Sequence, residues 1–323
     1  MLGREGGSPI RISVIIPTLN AEKYICELLR SLNQQTLRPY EVIVIDSAST
    51  DNTVLIASQM KANVIRIDRS QFDHGRTRNY AASKATGEVF VFLTQDAIPA
   101  DETFLEKLVG PFVDEAVAAV CGRQVAYDDA TVLEKMNREF NYPAISTTRS
   151  LADVDRYGIK TFFMSNVCAG YRASAFLEVR GFVEPIVSNE DMIMAATLIR
   201  KGYSIVYASD ARVRHSHNYS LKQLFTRYFD VGGSLQLHSW ILECAKPEGE
   251  GVRLVKWQLM LLRKPSKWRW IPRLLAESIV KYVGYRLGLA HHKLPSKLRK
   301  RCSMHPLFWD RLSTSSKSVE GMF

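Results

Sequence analysis

Short apolar, β-branched segments alternate with segments of helical pattern through the first half of the chain. The strand-like segments are ISVIIP (12–17), EVIVID (41–46), NVIRID (63–68), EVFVFL (88–93) and AAVCGRQV (118–125). Short strands separated by helices are usually parallel, joined by right-handed crossovers and covered by helices on both faces. The alternation therefore predicts an α/β fold built on a layered, mostly parallel sheet.

Polar residues follow three of these strands at the point where each strand ends. They are Pro17-Thr18-Leu19-Asn20 after the first strand, Asp46-Ser47 after the second and Thr94-Gln95-Asp96 after the fourth. In open α/β sheets the ligand crevice lies at the carboxyl ends of the strands. We therefore expect one binding site at that edge rather than three unrelated turns.

Two of the polar motifs have both a structural and a functional interpretation. VIDSASTDNT, with Asp46 and Ser49, is typical of a turn and helix cap; the alternative is that Asp46 binds a sugar hydroxyl or base of a nucleotide. In FDHGRTRN (72–79), Arg76 and Arg78 lie near a helix start, where free N–H groups and guanidinium groups favour phosphate. The alternative there is a solvated charged turn.

Asp96 ends the most hydrophobic strand on a carboxylate, which is costly to bury unless it is paired, protonated or bound to metal. It either forms a local turn before Pro99 or meets a divalent cation that is shared with a diphosphate. The strand-like segment 202–217 ends in His215 and His217, which share one face if the segment is extended. Such a pair can bind metal, although surface histidines are commoner.

The segment VSNEDMIMAATLIRKGY (187–203) predicts a helix that begins at Ser188 or Asn189. Ser188 and Asp191 have the spacing of a capping box, which would give Asp191 a structural role. Alternatively, Glu190 or Asp191 is a general base. Since neighbours on a helix point about 100° apart, only one of the two is expected to face a substrate.

The net charge of +10 is concentrated near the C-terminus. Residues 253–301 contain 14 Lys or Arg and one acid, Glu277, a net charge of +13, whereas the rest of the chain carries about −3. Cations there alternate with Trp, Leu, Ile and Tyr, a pattern typical of helices that lie on anionic membranes. We expect a basic amphipathic helical region over 236–323 that binds a membrane surface and no nucleic acid. The alternative is a helical subdomain packed on the catalytic domain.

Other features bear on the compartment. The apolar runs are shorter than the roughly 18 to 20 residues that span a bilayer, and MLGREGGSPIRIS lacks the apolar core of a signal peptide. Five widely spaced cysteines without a C-x-x-C pair favour reduced thiols over a zinc site. These features predict a cytoplasmic location, peripheral on the inner face of the cytoplasmic membrane.

The order of the motifs resembles a known family. Asp46 after the second strand, HGRTRN, TQD after the fourth strand and an E-D helix before a His-containing strand are together similar to family 2 inverting glycosyltransferases. FDHGRTRN and FLTQDAIPAD are especially similar to bacterial rhamnosyltransferase-like members. The resemblance covers roughly residues 10–235. It implies a GT-A fold of αβα layers, with nucleotide-sugar binding and catalysis in residues 1–235.

The resemblance also implies roles for individual residues. Asp191 matches the catalytic base, Asp96 matches the last Asp of the D-x-D metal motif, and His215 or His217 completes the metal shell. Thr94 replaces the first carboxylate of that motif, so the metal and the donor are expected to bind as one unit. The nucleotide pocket is expected to be lined by Pro17, Thr18, Asp46, Ser47, Ser49, Arg78 and Gln95.

The implied reaction moves a sugar, with rhamnose favoured, from a nucleoside-diphosphate donor to a hydroxyl of a growing cell-surface polysaccharide or lipid-linked oligosaccharide. The implied cofactor is Mg²⁺ or Mn²⁺, and the donor a dTDP-sugar, with UDP- and GDP-sugars as alternatives. Transfer of another hexose or an N-acetylhexosamine, or an inactive sugar-nucleotide-binding or membrane scaffold protein, are the alternative functions. PTLNAEKY lacks the glycines of a nucleotidyltransferase or dinucleotide-binding loop.

Overall fold

The computed structural model describes residues 10–244 and 248–312, and within these ranges it contains one nine-stranded sheet. The strands are β1 (Ile12–Thr18), β2 (Glu41–Asp46), β3 (Asn63–Arg66), β4 (Val89–Leu93), β5 (Ile98–Pro99), β6 (Val117–Val125), β7 (Thr147–Arg149), β8 (Cys168–Arg172) and β9 (Ser204–Arg214). Their order in the sheet is β3-β2-β1-β4-β8-β6-β9-β5, and β7 pairs with β9.

Helices connect and cover these strands. In the first half they are α1 (Glu22–Asn33), α2 (Thr53–Gln59), α3 (His74–Ala82), α4 (Phe104–Val109), α5 (Val132–Asn141), α6 (Val154–Tyr157) and α7 (Ala173–Glu178). In the second half they are α8 (Glu190–Arg200), α9 (Leu221–Leu237), α10 (Trp240–Cys244), α11 (Glu248–Leu262), α12 (Ile271–Leu289) and α13 (Ser296–Cys302). Residues 306–312 are also helical.

The mostly parallel sheet is confirmed in the direction of its strands. β1 is parallel to β2 and β4, β2 to β3, and β6 to β9, while β8 lies antiparallel between β4 and β6. Six strands therefore run in the same direction: β1, β2, β3, β4, β6 and β9. Their carboxyl ends share one edge of the sheet, and the amino end of β8 lies at that edge as well.

Helices cover both faces of the sheet, which gives the predicted αβα layers. Along β4, Phe90 and Phe92 pack into a core with α7 and α8, while Val91 packs into a second core with α1 and α4. Successive side chains of a strand point to opposite faces, so an uninterrupted apolar strand is buried on both sides. Burial on both faces explains why the apolar run of β4, which precedes Asp96, is continuous.

The C-terminal helices pack on the remainder of the chain. Gly288 lies so close to α9 that a Cβ atom there would be 2.1 Å from the carbonyl oxygen of Phe229. Likewise, a Cβ atom on Gly232 would be 2.2 Å from the carbonyl oxygen of Tyr285. The division into domains at residue 235 stays a prediction. The helix α9 continues through that residue. None of the helices in residues 10–244 and 248–312 is long and apolar enough to cross a bilayer.

Candidate functional site

A cavity of about 470 Å³ lies at the edge of the sheet where the parallel strands end. Of the predicted site residues, Arg78, Asp96, Asp191, His215 and His217 contribute to its lining, as does Glu190, the alternative general base. The other predicted residues lie outside this lining, among the described residues, and include Pro17, Thr18, Asp46, Ser47, Ser49 and Gln95. The structure therefore separates the predicted residues into a cavity group and a group at the ends of β1 and β2, to which Gln95 from the loop after β4 is bonded through Leu19.

Asp96, His215 and His217 converge into a cluster with the geometry of metal ligands. The Nε2 atoms of His215 and His217 lie 3.4 and 3.3 Å from Oδ2 of Asp96, and the three ligand atoms all lie within 4.8 Å of one another. His215 follows β9, which is parallel to β6, so its position beside Asp96 results from the shared edge of the sheet. Both histidines belong to this cluster, whereas the sequence left open which of the two would complete it.

Gln124, at the end of β6, fixes the orientation of the His215 ring. Its Oε1 atom lies 3.0 Å from Nδ1 of His215, which leaves Nε2 to face Asp96. Its Nε2 atom donates to the hydroxyls of Tyr142 and Ser165 at 2.6 and 2.9 Å. Burial, reinforced by the nearby Arg138, lowers the pKa of His215 well below its ordinary value. A divalent cation binds the neutral form of imidazole, through the lone pair of a ring nitrogen, and here that nitrogen is on the same side as the Asp96 carboxylate.

Asp191 lies partly exposed on the same cavity, at the start of α8. Its Oδ2 atom accepts a hydrogen bond from the backbone N–H of Asn166 at 3.1 Å, and Oδ1 accepts one from the backbone N–H of Met192 at 2.8 Å. Burial and the neighbouring Glu190 carboxylate raise the pKa of Asp191 to about 7. A carboxylate with a pKa near neutrality has the proton affinity that general base catalysis requires.

The predicted capping box at Ser188 and Asp191 is wrong. Asn189 occupies the N-cap position in a left-handed conformation, with φ of 63°, and makes no side-chain capping hydrogen bond. The carbonyl of Ser188 instead accepts a hydrogen bond from Ser234 on α9. The Asp191 carboxylate therefore lines the cavity and does not pair with Ser188, although one of its oxygens accepts the first-turn N–H of Met192.

Glu190 has a structural partner in Arg78. The Nη1 atom of Arg78 lies 3.3 Å from Oε1 of Glu190, and both side chains are buried. Burial alone would raise the pKa of Glu190, but Arg78, His74 and the Asn166 amide outweigh it and keep the pKa below its ordinary value. Glu190 therefore remains ionised beside Asp191. Of the two acids, Glu190 is held by the ion pair and Asp191 is left facing the cavity.

The start of α3, at His74 within FDHG, is capped by the side chain of the preceding Asp73. The Oδ1 atom of Asp73 accepts hydrogen bonds from the backbone N–H groups of Gly75 and Arg76, both at 3.0 Å. The expectation of free N–H groups for a phosphate at this point is therefore wrong. Arg76 is exposed near Glu184, at 3.9 Å, whereas Arg78 lines the cavity.

Asp46 is buried and accepts hydrogen bonds from its own loop and from the end of β1. Its Oδ2 atom accepts hydrogen bonds from the hydroxyls of Thr18, at 3.0 Å, and Ser49, and its Oδ1 atom accepts one from the Ser49 N–H at 2.9 Å. This is the local turn that the sequence offered as one alternative. In contrast, the buried hydroxyl of Ser47 has no hydrogen-bond partner among the described residues.

Gln95 holds the loop after β1. Its Oε1 atom accepts a hydrogen bond from the N–H of Leu19 at 2.8 Å, and its Nε2 atom donates to the carbonyl of Leu19 at 3.2 Å. This reciprocal pair ties the loop that follows Pro17 and Thr18 to the loop that carries Asp96. Gln95 thus positions neighbouring site residues, and the predicted nucleotide contact of its side chain remains untested.

Several cavity residues were not identified from the sequence. Gln124 ends β6, so the rule that polar residues at strand ends line the crevice also applies to it. Asn166 precedes β8 and donates its side-chain amide to Glu190 at 3.1 Å, a position that depends on the antiparallel direction of β8. His305 lies far along the chain, and no local pattern marks it.

The comparisons with known proteins agree with this geometry. The family described as Glycosyl transferase family 2 matches residues 13–180. The O-antigen chain rhamnosyltransferase RfbN of Salmonella typhimurium strain LT2 is 43% identical over 315 residues, which cover 96% of this chain and all of that protein. The O-antigen chain rhamnosyltransferase WbaN of Salmonella anatum is also 43% identical, and the match covers 95% of this chain and 99% of that one.

Solved structures show the same fold at lower sequence identity. The mannosyltransferase PcManGT of Pyrobaculum calidifontis, solved in complex with GDP-Man and Mn²⁺, superposes with a TM-score of 0.54 at 16% identity. The superposition covers 97% of this chain and 81% of that one. At this identity the likeness shows the fold alone.

Proposed function

Because the chain belongs to glycosyl transferase family 2, we propose that it transfers rhamnose, with inversion, from a nucleoside diphosphate to a hydroxyl of a growing cell-surface polysaccharide. The chain is a glycosyltransferase with a GT-A-like α/β fold. The choice of rhamnose and of a polysaccharide acceptor depends on the 43% identity with two O-antigen chain rhamnosyltransferases over nearly the full chain. That full-length identity is the observation that carries the proposal.

Asp191 is the proposed catalytic base. Its carboxylate faces the cavity, and its pKa of about 7 allows it to take a proton from an acceptor hydroxyl near neutral pH. The backbone N–H groups of Asn166 and Met192 fix the carboxylate in place. Attack of the activated hydroxyl on the anomeric carbon, opposite the leaving diphosphate, gives inversion in a single displacement.

Asp96, His215 and His217 are the proposed holders of the divalent cation. One carboxylate oxygen and two imidazole nitrogens favour Mn²⁺ over Mg²⁺, because Mg²⁺ strongly prefers oxygen ligands. When bound, the cation would stabilise negative charge that develops on the departing diphosphate. Thr94 provides no carboxylate here, so donor phosphate oxygens are expected to complete the coordination shell.

The donor nucleotide is proposed to bind at the ends of β1 and β2. Pro17, Thr18, Asp46, Ser47 and Ser49 lie there together, and the Ser47 hydroxyl is a buried group without a partner in the described chain. Arg78 would approach the diphosphate from the cavity side. A dTDP-sugar is the proposed donor, with UDP- and GDP-sugars as alternatives.

A peripheral position on the membrane is also proposed. Leu275, Ile279, Tyr282 and Val283 on α12 are exposed and follow the spacing of one helix face. The surrounding region has a net charge of +13 over residues 253–301, which complements an anionic bilayer. Part of the basic region packs on the catalytic half and part presents this apolar face, so both sequence-based interpretations have structural support.

Vesicle sedimentation tests the membrane proposal. Replacement of Ile279, which is 62% exposed, by Glu should weaken binding to phosphatidylglycerol-containing vesicles about tenfold, because a charge enters the contact face. Leu55→Glu is the matched control, since Leu55 is 55% exposed on α2, in the catalytic half. Equal binding by the two variants, or equal binding to purely zwitterionic vesicles, would remove the membrane from the proposal.

The transferase itself is tested by release of nucleoside diphosphate from a panel of nucleotide sugars. The assay is run with Mn²⁺, Mg²⁺ or EDTA, with and without lipid-linked oligosaccharide acceptors. Asp191→Asn should retain donor binding and lose about 10²- to 10⁴-fold in turnover, the usual contribution of a general base. Asp210→Asn, an exposed residue of β9, is the control and should behave as the unmodified protein.

The donor that supports release identifies the sugar. Release from a hexose or N-acetylhexosamine donor, and none from dTDP-rhamnose, would replace rhamnose in the proposal. Unchanged turnover in Asp191→Asn would remove Asp191 as the base. No release from any donor by a folded protein would favour the alternative of a sugar-nucleotide-binding or membrane scaffold protein.

A further inference from the structure

A second cavity, of about 600 Å³, lies between the loop that follows β9 and the start of α12. We call it the α12 cleft. Its walls are formed by α5, the segment 217–220, the start of α9 and the residues around Trp270. None of the residues assigned above to the donor nucleotide contributes to its lining in the described chain.

The α12 cleft adjoins the cavity of about 470 Å³ that is lined by Asp96 and Asp191, which we call the catalytic cavity. The two share the side chains of Glu134, Asn137, His217, Tyr219 and Leu224. His217 is one of the three proposed metal ligands, and its ring packs against Tyr219 with centroids 4.9 Å apart and an interplanar angle of 31°. A ligand that extends along the cleft would therefore have one end beside the reacting centre.

The lining of the cleft combines aromatic faces with hydrogen-bonding groups. Trp270 and Tyr219 provide the aromatic surface, and Asn137 and Arg273 provide polar groups. Sugar rings have apolar C–H faces and a rim of hydroxyls, so they fit a site with aromatic surface and a few placed polar groups.

Charges in the cleft are balanced. Glu134 is paired with Arg138 at 2.7 Å, and Glu277 is paired with Arg273 at 2.8 Å and with Lys281 at 3.5 Å. The charged residues that line the cleft are two acids and two arginines, namely Glu134, Glu277, Arg269 and Arg273. A balanced lining suits an uncharged polyhydroxyl ligand better than a nucleotide or another polyanion.

The cleft is also held in shape by the chain. The Nη2 atom of Arg273 donates to the carbonyl of Tyr219 at 3.1 Å and thereby ties the start of α12 to the loop after His217. Leu262 and Leu274 pack with Leu133 and Met136 beneath the cleft. Such a preformed site avoids part of the ordering cost of binding.

We propose that the α12 cleft binds the non-reducing end of the acceptor glycan and directs its hydroxyl toward Asp191. This inference rests on the proposed transferase function and adds to it the place and the chemical class of the acceptor. Trp270 provides the surface on which a sugar ring of the acceptor packs. Arg269, which is exposed on the rim, and Arg273 donate hydrogen bonds to its hydroxyls.

The test is direct binding of simple glycosides, which is independent of catalysis. Methyl α-L-rhamnopyranoside, methyl α-D-mannopyranoside and methyl β-D-galactopyranoside are titrated into the full chain and followed by saturation-transfer difference NMR. Trp270→Ala should raise the Kd of the best-bound glycoside about tenfold. Trp268→Ala is the matched control, because Trp268 is 58% exposed, lies two residues away and does not line the cleft.

Arg269→Ala provides a second variant: the exposed guanidinium lies 5.9 Å from the centroid of the Trp270 ring, and its removal should weaken binding several-fold. Unchanged affinity in both Trp270→Ala and Arg269→Ala, or no glycoside binding by the unmodified chain, would overturn the cleft assignment. Failure of the transferase proposal gives a different result, which is absence of nucleoside diphosphate release while glycoside binding remains sensitive to Trp270→Ala.

Discussion

The Nε2 atoms of His74 and His305 lie 3.3 Å apart, so the C-terminal region contributes a side chain to the wall of the catalytic cavity. The segment that carries His305 is anchored on Asp230 of α9. The backbone N–H of Met304 donates to Oδ2 of Asp230 at 2.8 Å, and the indole N–H of Trp309 approaches Oδ1 at 3.4 Å. The catalytic cavity is thus completed by residues more than 200 positions after its first members.

Removal of His305 should impair catalysis more than folding. His74 lies between His305 and Arg78, whose Nη1 atom is 3.4 Å from Nδ1 of His74. His305→Ala removes one hydrogen-bond partner, worth roughly 0.5–1.5 kcal/mol, and should lower kcat/KM about 3- to 10-fold. His292→Ala, at an exposed position, is the control. Equal kcat/KM in the two variants would show that His305 only covers the cavity.

The acid limb of the pH–rate profile should report the ionisation of the Asp191 carboxyl group. Its pKa of about 7 means that the base is increasingly protonated below that pH, so kcat/KM should fall as pH decreases through 7. Glu190→Gln removes the neighbouring negative charge that raises this pKa, and the limb should move to lower pH. Glu178→Gln, on α7, should leave it in place. A limb that does not move in Glu190→Gln would exclude Asp191 as the titrating group.

Metal affinity should depend on Gln124 although it is not a ligand. Gln124→Leu removes the partner of Nδ1 of His215 and frees the ring to rotate, which should weaken Mn²⁺ binding about 10- to 100-fold. Calorimetric titration with Mn²⁺ measures the change. Gln258→Leu is the matched control, since Gln258 is also buried and hydrogen-bonded but does not contact the cluster. Equal loss in both variants would indicate a general effect of destabilisation.

Contact between α9 and α12 should be sensitive to a single methyl group. Gly288→Ala places a Cβ atom 2.1 Å from a backbone oxygen of α9, so one helix must shift, at a cost of about 1–3 kcal/mol in the free energy of unfolding. Gly251→Ala, on α11, meets no atom within 4 Å and should stabilise by about 0.5–1 kcal/mol. Chemical denaturation measures both. A neutral Gly288→Ala would show that the helices separate easily.

The sequence predicts the sheet well because its strands are marked by continuous apolar runs. The runs at β1, β2, β4 and β6 are buried on both faces, and few other structures accommodate them. In contrast, β8 was missed. CAGYR has no such run, and its pairing between β4 and β6 depends on residues far away in the chain.

Prediction of the site has the same limit, because contacts between residues far apart in the chain leave no local pattern. Asp96 and the two histidines follow strands that run in the same direction, so their convergence follows from the topology. Asp191 matches the catalytic base by resemblance, whereas the lack of a capping box with Ser188 is seen only in the structure, where Asn189 takes the N-cap position in a left-handed conformation. Asn166 and His305 reach the cavity only through tertiary packing, for which no local pattern exists. The geometry also shows the Gln95 side chain bonded to Leu19 in the loop after β1, and Asp46 bonded to Ser49 in its own loop and to Thr18 of β1.

The position of His305 has a consequence for synthesis of the protein. A nascent chain whose nine strands have all left the ribosome still lacks the segment that docks on Asp230 and closes the cavity. The edge of the sheet, with Asp96, His215 and His217, can therefore form before the cavity is closed. Competence for sugar transfer should appear late, when the final helices have been translated and have packed against α9, so premature reaction on an unfinished enzyme is avoided.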